Sequence, residues 1–308
     1  MIKELEGKVV KGVGGLYETR VLLDGVPTRI TSRAKGILKR DEEKVLVGDN
    51  VLITISDDVD VGTVITEVLP RKNSLIRPPL ANLDYIFIVF AVKKPVPVIE
   101  TVDKLIAIAE HNRITPVIVI TKSDISASLA EEYAGVYRQI GIDTFITSSE
   151  DKSGIDALRA YINENIRDGK TAAFAGASGV GKSTLMNTIF DALTLATGDI
   201  SHKIGRGKHT TRHVEIFDIG EGGHLADTPG FSLIDFSRFD FFEIEDLASS
   251  FREFCAYSGA CRYADCAHYG EDATECAIAM AAEKGEIPAS RLASYRAIYE
   301  VLRQKKKY

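Results

Sequence analysis

The chain has 308 residues, 45% of them hydrophobic and 27% charged, with a formal net charge of −6. That length allows two or three domains around a substantial core, and the composition excludes a disordered chain. The acidic balance excludes nucleic-acid binding by bulk charge, though not by local basic patches. There is no run of roughly 18 apolar residues to cross a bilayer. Met1-Ile2-Lys3-Glu4-Leu5-Glu6-Gly7 lacks the apolar stretch of a signal peptide, so a cytoplasmic protein is expected.

Residues 1 to about 70 alternate apolar and polar positions in short runs, such as Tyr17–Leu23, Val51–Ile55 and Gly62–Leu69. Gly14-Gly15, Asp24-Gly25 and Gly48-Asp49-Asn50 punctuate them. About five short strands at this spacing predict a small β-barrel; the OB-fold and the SH3-like barrel fit the periodicity equally. Arg29, Arg33, Lys35, Lys39 and Arg40 lie close together, as either a phosphate-backbone surface or a solvated basic edge.

From Arg71 the rhythm changes. Strands over Tyr85–Val92, Pro116–Ile120 and Asp143–Thr147 alternate with helices near 98–112, 127–140 and 154–166. Continuous β-branched runs between helices predict a parallel sheet covered on both faces. After about residue 245 the pattern is helical, with a basic tail at Arg303–Lys307. The expected domains are therefore 1–70, 71–244 and 245–308.

The strand Thr171–Ala175 runs into Gly176-Ala177-Ser178-Gly179-Val180-Gly181-Lys182-Ser183-Thr184, which fits the phosphate-binding loop G-x-x-x-x-G-K-[ST] at every required position. Glycines let consecutive amides curl around phosphate oxygens, Lys182 reaches the β- and γ-phosphates, and the Ser183 hydroxyl can ligate Mg²⁺. The following helix points its positive end at the anion. Downstream, Asp227-Thr228-Pro229-Gly230 places a carboxylate for Mg²⁺ and a glycine amide for the γ-phosphate. Thr210 or Thr211 could supply a second metal-ligating hydroxyl.

Thr121-Lys122-Ser123-Asp124 closes another strand. A carboxylate at Asp124 accepts the N1–H and 2-amino hydrogens of guanine, an arrangement adenine cannot offer. The Lys122 stem can lie along the base plane, and backbone amides at Ser148-Ser149 could meet the guanine carbonyl. The order is permuted: the base-reading elements precede the phosphate loop, whereas in Ras-like GTPases they follow it. Ligands still gather at the carboxyl ends of the strands whatever the connectivity. All four cysteines, Cys255, Cys261, Cys266 and Cys276, lie in one C-terminal stretch, which in a reducing compartment suggests a metal site more than disulfides.

A permuted GTPase between a barrel and a cysteine cluster resembles the ribosome-small-subunit-dependent GTPase A family of bacteria. The resemblance rests on Val47-Gly48-Asp49, Arg71–Arg77, Leu83-Asp84, Thr121–Asp124, Gly176–Thr184, Gly205–Thr211, Asp227–Phe231 and the cysteine cluster. It implies a multi-domain chain with an N-terminal OB-fold barrel, a circularly permuted P-loop GTPase domain and a helical zinc-binding domain. It further implies Mg²⁺-dependent hydrolysis of GTP to GDP, stimulated by the small ribosomal subunit and its rRNA late in that subunit's maturation. A monomer is the simpler expectation.

Two departures stand out. Thr121 replaces the usual Asn, which puts guanine affinity rather than selectivity in question. The family's zinc pattern, roughly C-x₄-C-x-H-x₅-C, is met by Cys261, Cys266 and His268, but Cys276 lies further on and Cys255 competes for the fourth position. Cys276 is the favoured ligand. Phe231 stands where many GTPases orient water with glutamine, so intrinsic turnover should be slow and His209 becomes the candidate for orienting water. The competing functions are a permuted GTPase acting on another RNA particle, such as the large subunit, and a nucleotide-dependent RNA scaffold without appreciable hydrolysis.

Overall fold

The computed structural model describes residues 2–39, 44–56, 62–197, 214–228 and 241–305. Five strands form the amino-terminal barrel: β1 (Ile2–Val13), β2 (Leu16–Leu23), β3 (Val26–Ala34), β4 (Asn50–Ser56) and β5 (Thr63–Val68). Gly14-Gly15 and Asp24-Gly25 turn the two hairpins, all four with positive φ, as a two-residue turn between right-twisted strands requires. The ring closes because β1 pairs with both β2 and β4, while β3 runs parallel to β5. The order β1-β2-β3-β5-β4-β1 is that of an OB-fold and resolves the ambiguity that periodicity leaves. Gly7 makes the closure possible: a Cβ there would lie 2.6 Å from Thr19 Cγ2 and 2.7 Å from Val21 Cγ1. Val9, Val21, Val51, Ile53 and Ile65 fill the interior.

Buried Asp49 ties the linker to the barrel, taking Arg71 Nε at 2.7 Å and Arg71 Nη2 at 2.8 Å. The linker holds the short pair β6 (Ser74–Leu75) and β7 (Leu80–Ala81). The central domain then runs β8 (Tyr85–Ala91), α1 (Ile99–His111), β9 (Thr115–Thr121), α2 (Ala127–Gln139), β10 (Thr144–Ile146), α3 (Ile155–Asn165), β11 (Thr171–Ala175), α4 (Lys182–Thr197), β12 (Glu215–Gly220) and β13 (Gly223–Asp227). Its strand order is β10-β9-β8-β11-β13-β12, parallel except for β12.

Alternate residues of β8 serve opposite faces, which is why its whole run is apolar. Ile86, Ile88 and Phe90 pack towards α1 and α2, and Phe87 and Val89 towards α3 and α4. Antiparallel pairing of Lys11 with Glu215 joins β1 to β12, so barrel and sheet meet edge to edge.

The C-terminal region contains short 3₁₀ turns, α5 (Ala277–Glu283) and α6 (Ala289–Lys305). Asp240-Phe241-Phe242-Glu243-Ile244-Glu245-Asp246 reads in sequence as a helix start, but among its described residues the chain makes only a 3₁₀ turn, at Ile244–Asp246. Phe251, Tyr295 and Ile298 join the core cluster that contains Ile106 and Ala109 of α1.

Candidate nucleotide site and metal cluster

The loop Gly176–Thr184 leaves the carboxyl end of β11. Gly176 has φ 144°, and a Cβ on it would sit 2.0 Å from the Val89 carbonyl oxygen. Gly179 and Gly181 also have positive φ, 78° and 98°, so only glycine follows this path without strain. Val180 is buried, while Ala177, Ser178, Ser183 and Thr184 are exposed around the mouth. Lys182 Nζ donates to the carbonyls of Gly176 at 2.7 Å and Ala177 at 2.8 Å. Burial lowers its pKa. A phosphate beside this ammonium would compensate that desolvation, since an opposite charge favours the charged form.

The base-reading segment is bonded directly to this loop. Thr121 ends β9, and its Oγ1 donates to the Val180 carbonyl at 2.5 Å. Lys122, in a left-handed turn with φ 57°, donates from Nζ to the carbonyls of Gly179 at 2.8 Å and of Lys94. Ser123 is buried and Asp124 is exposed. Ser148 Oγ donates to Asp124 Oδ1 at 2.6 Å while accepting from the amides of Glu150 and Asp151. The Ser148 amide itself donates to the Ser153 carbonyl, so of the predicted pair Ser149 is left as the candidate amide for a base. The Ser148 hydroxyl is instead bonded to the Asp124 carboxylate and fixes its direction.

Asp227 ends β13, which runs beside β11 with Ala226 in register with Ala173. Burial raises its pKa, and Glu215, directly opposite on β12, raises it further. A dication would reverse both effects by stabilising the carboxylate. Thr228 Oγ1 lies 3.3 Å from the Phe174 carbonyl. Thus Lys182, Ser183 and Asp227 share one edge of the sheet with Thr121–Asp124 and Ser148-Ser149. His209, Thr210, Thr211, Gly230 and Phe231 lie outside the described residues. Sequence reasoning missed the Lys94 carbonyl, the Ser148 hydroxyl and Glu215. Nothing in their local sequence marks them, because strand register and turn geometry create these contacts.

Cys261, Cys266, His268 and Cys276 place their ligand atoms within 4.8 Å of one another. His268 Nδ1 lies 3.6 Å from Cys261 Sγ and 3.4 Å from both Cys266 Sγ and Cys276 Sγ. Tetrahedral zinc with ordinary Zn–S and Zn–N bonds has ligand–ligand edges of about 3.6–3.8 Å, so the donor set fits zinc in type and spacing. The amides of Ala277 and Ala279 donate to Cys261 Sγ and Cys276 Sγ, as thiolates require. Burial first, and then the neighbouring thiols, raise the Cys266 and Cys276 thiols, and burial lowers the His268 imidazole; binding of a dication would displace the thiol protons. Cys255 is exposed and stands outside the cluster, which leaves Cys276 as the fourth member.

Residues 68–237 match the family model of the RsgA GTPase, and residues 6–64 match that of the RsgA N-terminal domain. The chain belongs to the RsgA GTPase family. Its full length is similar to curated family members. The chain is 37% identical over 304 residues to the small ribosomal subunit biogenesis GTPase RsgA of Alkaliphilus metalliredigens, covering 98% of this chain and 99% of that one. It is 38% identical over 305 residues to the protein of the same name from a Geobacillus species, covering 98% of each. Among solved structures, the circularly permuted GTPase YloQ matches with a TM-score of 0.76 at 32% identity, over 98% of this chain and 96% of that one. YjeQ from Thermotoga maritima matches with a TM-score of 0.76 at 30% identity, over 97% and 99%. The sequence-based resemblance is therefore borne out, as are the barrel, the permuted GTPase domain and the helical region with a Cys₃His cluster. RsgA membership makes the chain a GTPase.

Proposed function

We propose that this chain hydrolyses GTP in response to the small ribosomal subunit and acts late in that subunit's maturation, in the cytoplasm. One observation carries the reading: the loop that cradles phosphates and the segment that reads guanine are hydrogen-bonded to each other at one sheet edge, through Thr121–Val180 and Lys122–Gly179. The names of the full-length relatives support the small subunit and its rRNA as the partner.

In this reading the loop amides and Lys182 hold the β- and γ-phosphates, and Asp124, aimed by Ser148, holds the guanine edge with the Ser149 amide beside it. Ser183 and Asp227 hold Mg²⁺, with Thr210 or Thr211 adding a hydroxyl and the Gly230 amide meeting the γ-phosphate. Mg²⁺ neutralises charge on the phosphate oxygens. The Cys₃His cluster holds one structural zinc. Residues 1–70, 71–244 and 245–308 act as RNA-binding barrel, GTPase domain and zinc-binding domain. His209 orients the attacking water once subunit rRNA engages its basic surroundings, Lys203, Arg206, Lys208 and Arg212.

The test is GTP turnover with purified small or large subunits, or neither. Stimulation by the small subunit alone, abolished in His209→Ala with GDP binding retained, is the expected result. Stimulation by the large subunit alone, or by neither, overturns the assignment; normal stimulation in His209→Ala removes that residue's role.

A further inference from the structure

At the amino ends of β8, β9 and β11, the sheet edge opposite the nucleotide loops, a cavity of about 460 Å³ opens between the linker and the central domain. Lys72, Asp84, Tyr85, Arg113, Thr115 and Lys170 line it. Asp84 is the one carboxylate of this set, and both its oxygens are engaged. Lys72 Nζ lies 2.8 Å from Oδ1, and the Thr171 amide donates to Oδ2 at 2.9 Å. Behind it, Lys8 reaches over from the barrel to the Gly169 carbonyl and the Thr171 hydroxyl.

Two cations of the cavity have no acidic partner among the described residues. Lys170 Nζ lies 5.5 Å from the centre of the Tyr85 ring and meets no carboxylate. Arg113 is exposed, and its guanidinium meets none either. Arg113 also has φ 56°, just past the end of α1, where a helix ordinarily places glycine. A strained backbone that carries an unused cation is the kind of outlier from which function is inferred. This concentration of positive charge is local, in a chain of net charge −6.

We infer that this cavity binds a phosphodiester of RNA, with Arg113 and Lys170 on the phosphate oxygens and Thr115 as a neutral donor. The inference rests on the proposed docking to an RNA particle. A free phosphate would favour a nest of backbone amides, yet the amides at these strand starts are engaged: Thr115 donates to the Asp84 carbonyl, Asp84 to the Thr171 carbonyl, and Thr171 to the Asp84 side chain. What remains is cations on long stems around an open mouth, which suits a polyanion strand.

The test measures binding of a short fluorescent oligouridylate to the full-length, GDP-loaded protein by anisotropy across a salt series. Arg113→Gln/Lys170→Gln should weaken binding about tenfold or more, and should flatten the slope of log affinity against log salt by about 0.7 for each phosphate that is no longer neutralised. Intrinsic GTP turnover should not change, because the site lies at the far edge of the sheet. Arg113→Gly removes the side chain and relieves the strain, so it should weaken RNA binding while leaving the thermal midpoint equal or higher. That combination excludes misfolding as the cause. Equal affinity and equal slope in wild type and double variant overturn the inference, as does displacement of RNA by equimolar inorganic phosphate. Absence of any RNA binding by the wild type also overturns it; if small-subunit stimulation persists, the proposed function stands without this site.

Discussion

The central domain meets its two neighbours in opposite ways. The barrel has its own core and touches the larger cluster mainly through Val10 and Val47. Its junction with β12 is polar: Lys11 to Glu215 at 2.9 Å, Arg29 to Glu215 at 3.5 Å and Arg20 to Asp218 at 2.7 Å. The C-terminal region instead shares the core of α1, and buries Arg291 between Asp103 at 2.6 Å and Glu253 at 2.7 Å. Burial works against the Arg291 charge, but the two carboxylates outweigh it and hold its pKa above the ordinary value. Partly exposed ion pairs contribute little each and rearrange cheaply. Elements that share one core tend to unfold as one cooperative unit, and a buried ion pair within it is costly to break. The C-terminal region with its Cys₃His cluster is therefore an extension of the GTPase core, whereas the barrel is a separate body fastened to the sheet's edge.

The sharpest way to break this contrast is Arg291→Ala. It leaves Asp103 and Glu253 buried without a cation, at a cost of about 3–5 kcal/mol. Urea unfolding followed by intrinsic fluorescence and by GDP release should shift together. If the C-terminal region melts alone while the nucleotide site keeps its stability, the shared-core account fails. Next in size is the metal. Cys276→Ser should lower bound zinc, measured by mass spectrometry, from about one per chain towards none, with a drop in thermal midpoint. Cys255→Ser should change neither; a loss of zinc there would reopen the ligand set.

The outline of the fold is legible in the sequence because each element carries its own period: alternation in the barrel, apolar runs between helices in the sheet. The phosphate loop is legible because its chemistry is local, nine consecutive residues with glycines where φ is positive. What stays hidden is set by register. Tyr17–Leu23 reads as a strand, yet only the pairing of β3 with β5 distinguishes the OB-fold. Arg29 reads as one of a basic set, but it faces Glu18 and Glu215. Arg291 reads as an ordinary charge on an amphipathic helix, since nothing nearby in sequence announces Asp103, 188 residues away. The spacing of the candidate ligands leaves Cys255 and Cys276 in competition until the turn that carries His268, with φ 56°, is seen to gather three thiols.

A smaller effect tests the nucleotide edge. Ser148→Ala removes the hydroxyl that aims Asp124 and leaves the amides of Glu150 and Asp151 without their acceptor. A net loss of about 1 kcal/mol, or roughly fivefold in GDP affinity, is expected by titration calorimetry. Affinity equal to wild type would mean that Asp124 is positioned by its backbone alone.

The smallest expected effect tests whether the barrel junction reaches Asp227, the carboxylate proposed for Mg²⁺. Glu215 takes Lys11 and Arg29 from the barrel on one side and faces Asp227 on the other. Asp227 is raised first by burial and then by Glu215. Holding it ionised in the fold therefore costs stability at neutral pH, and that cost fades as pH falls through the raised value. Magnesium needs the ionised form, so its affinity should decline on acidification earlier than for an ordinary carboxylate. Glu215→Gln removes the secondary cause only. It should move the acid limit of Mg²⁺-dependent nucleotide binding downwards by less than about one pH unit, and cost about 1 kcal/mol or less in stability. Fluorescent GDP binding measured against pH in both proteins reads the shift. An unmoved acid limit would mean that burial alone sets Asp227, and that the ion pairs of the barrel stop at Glu215.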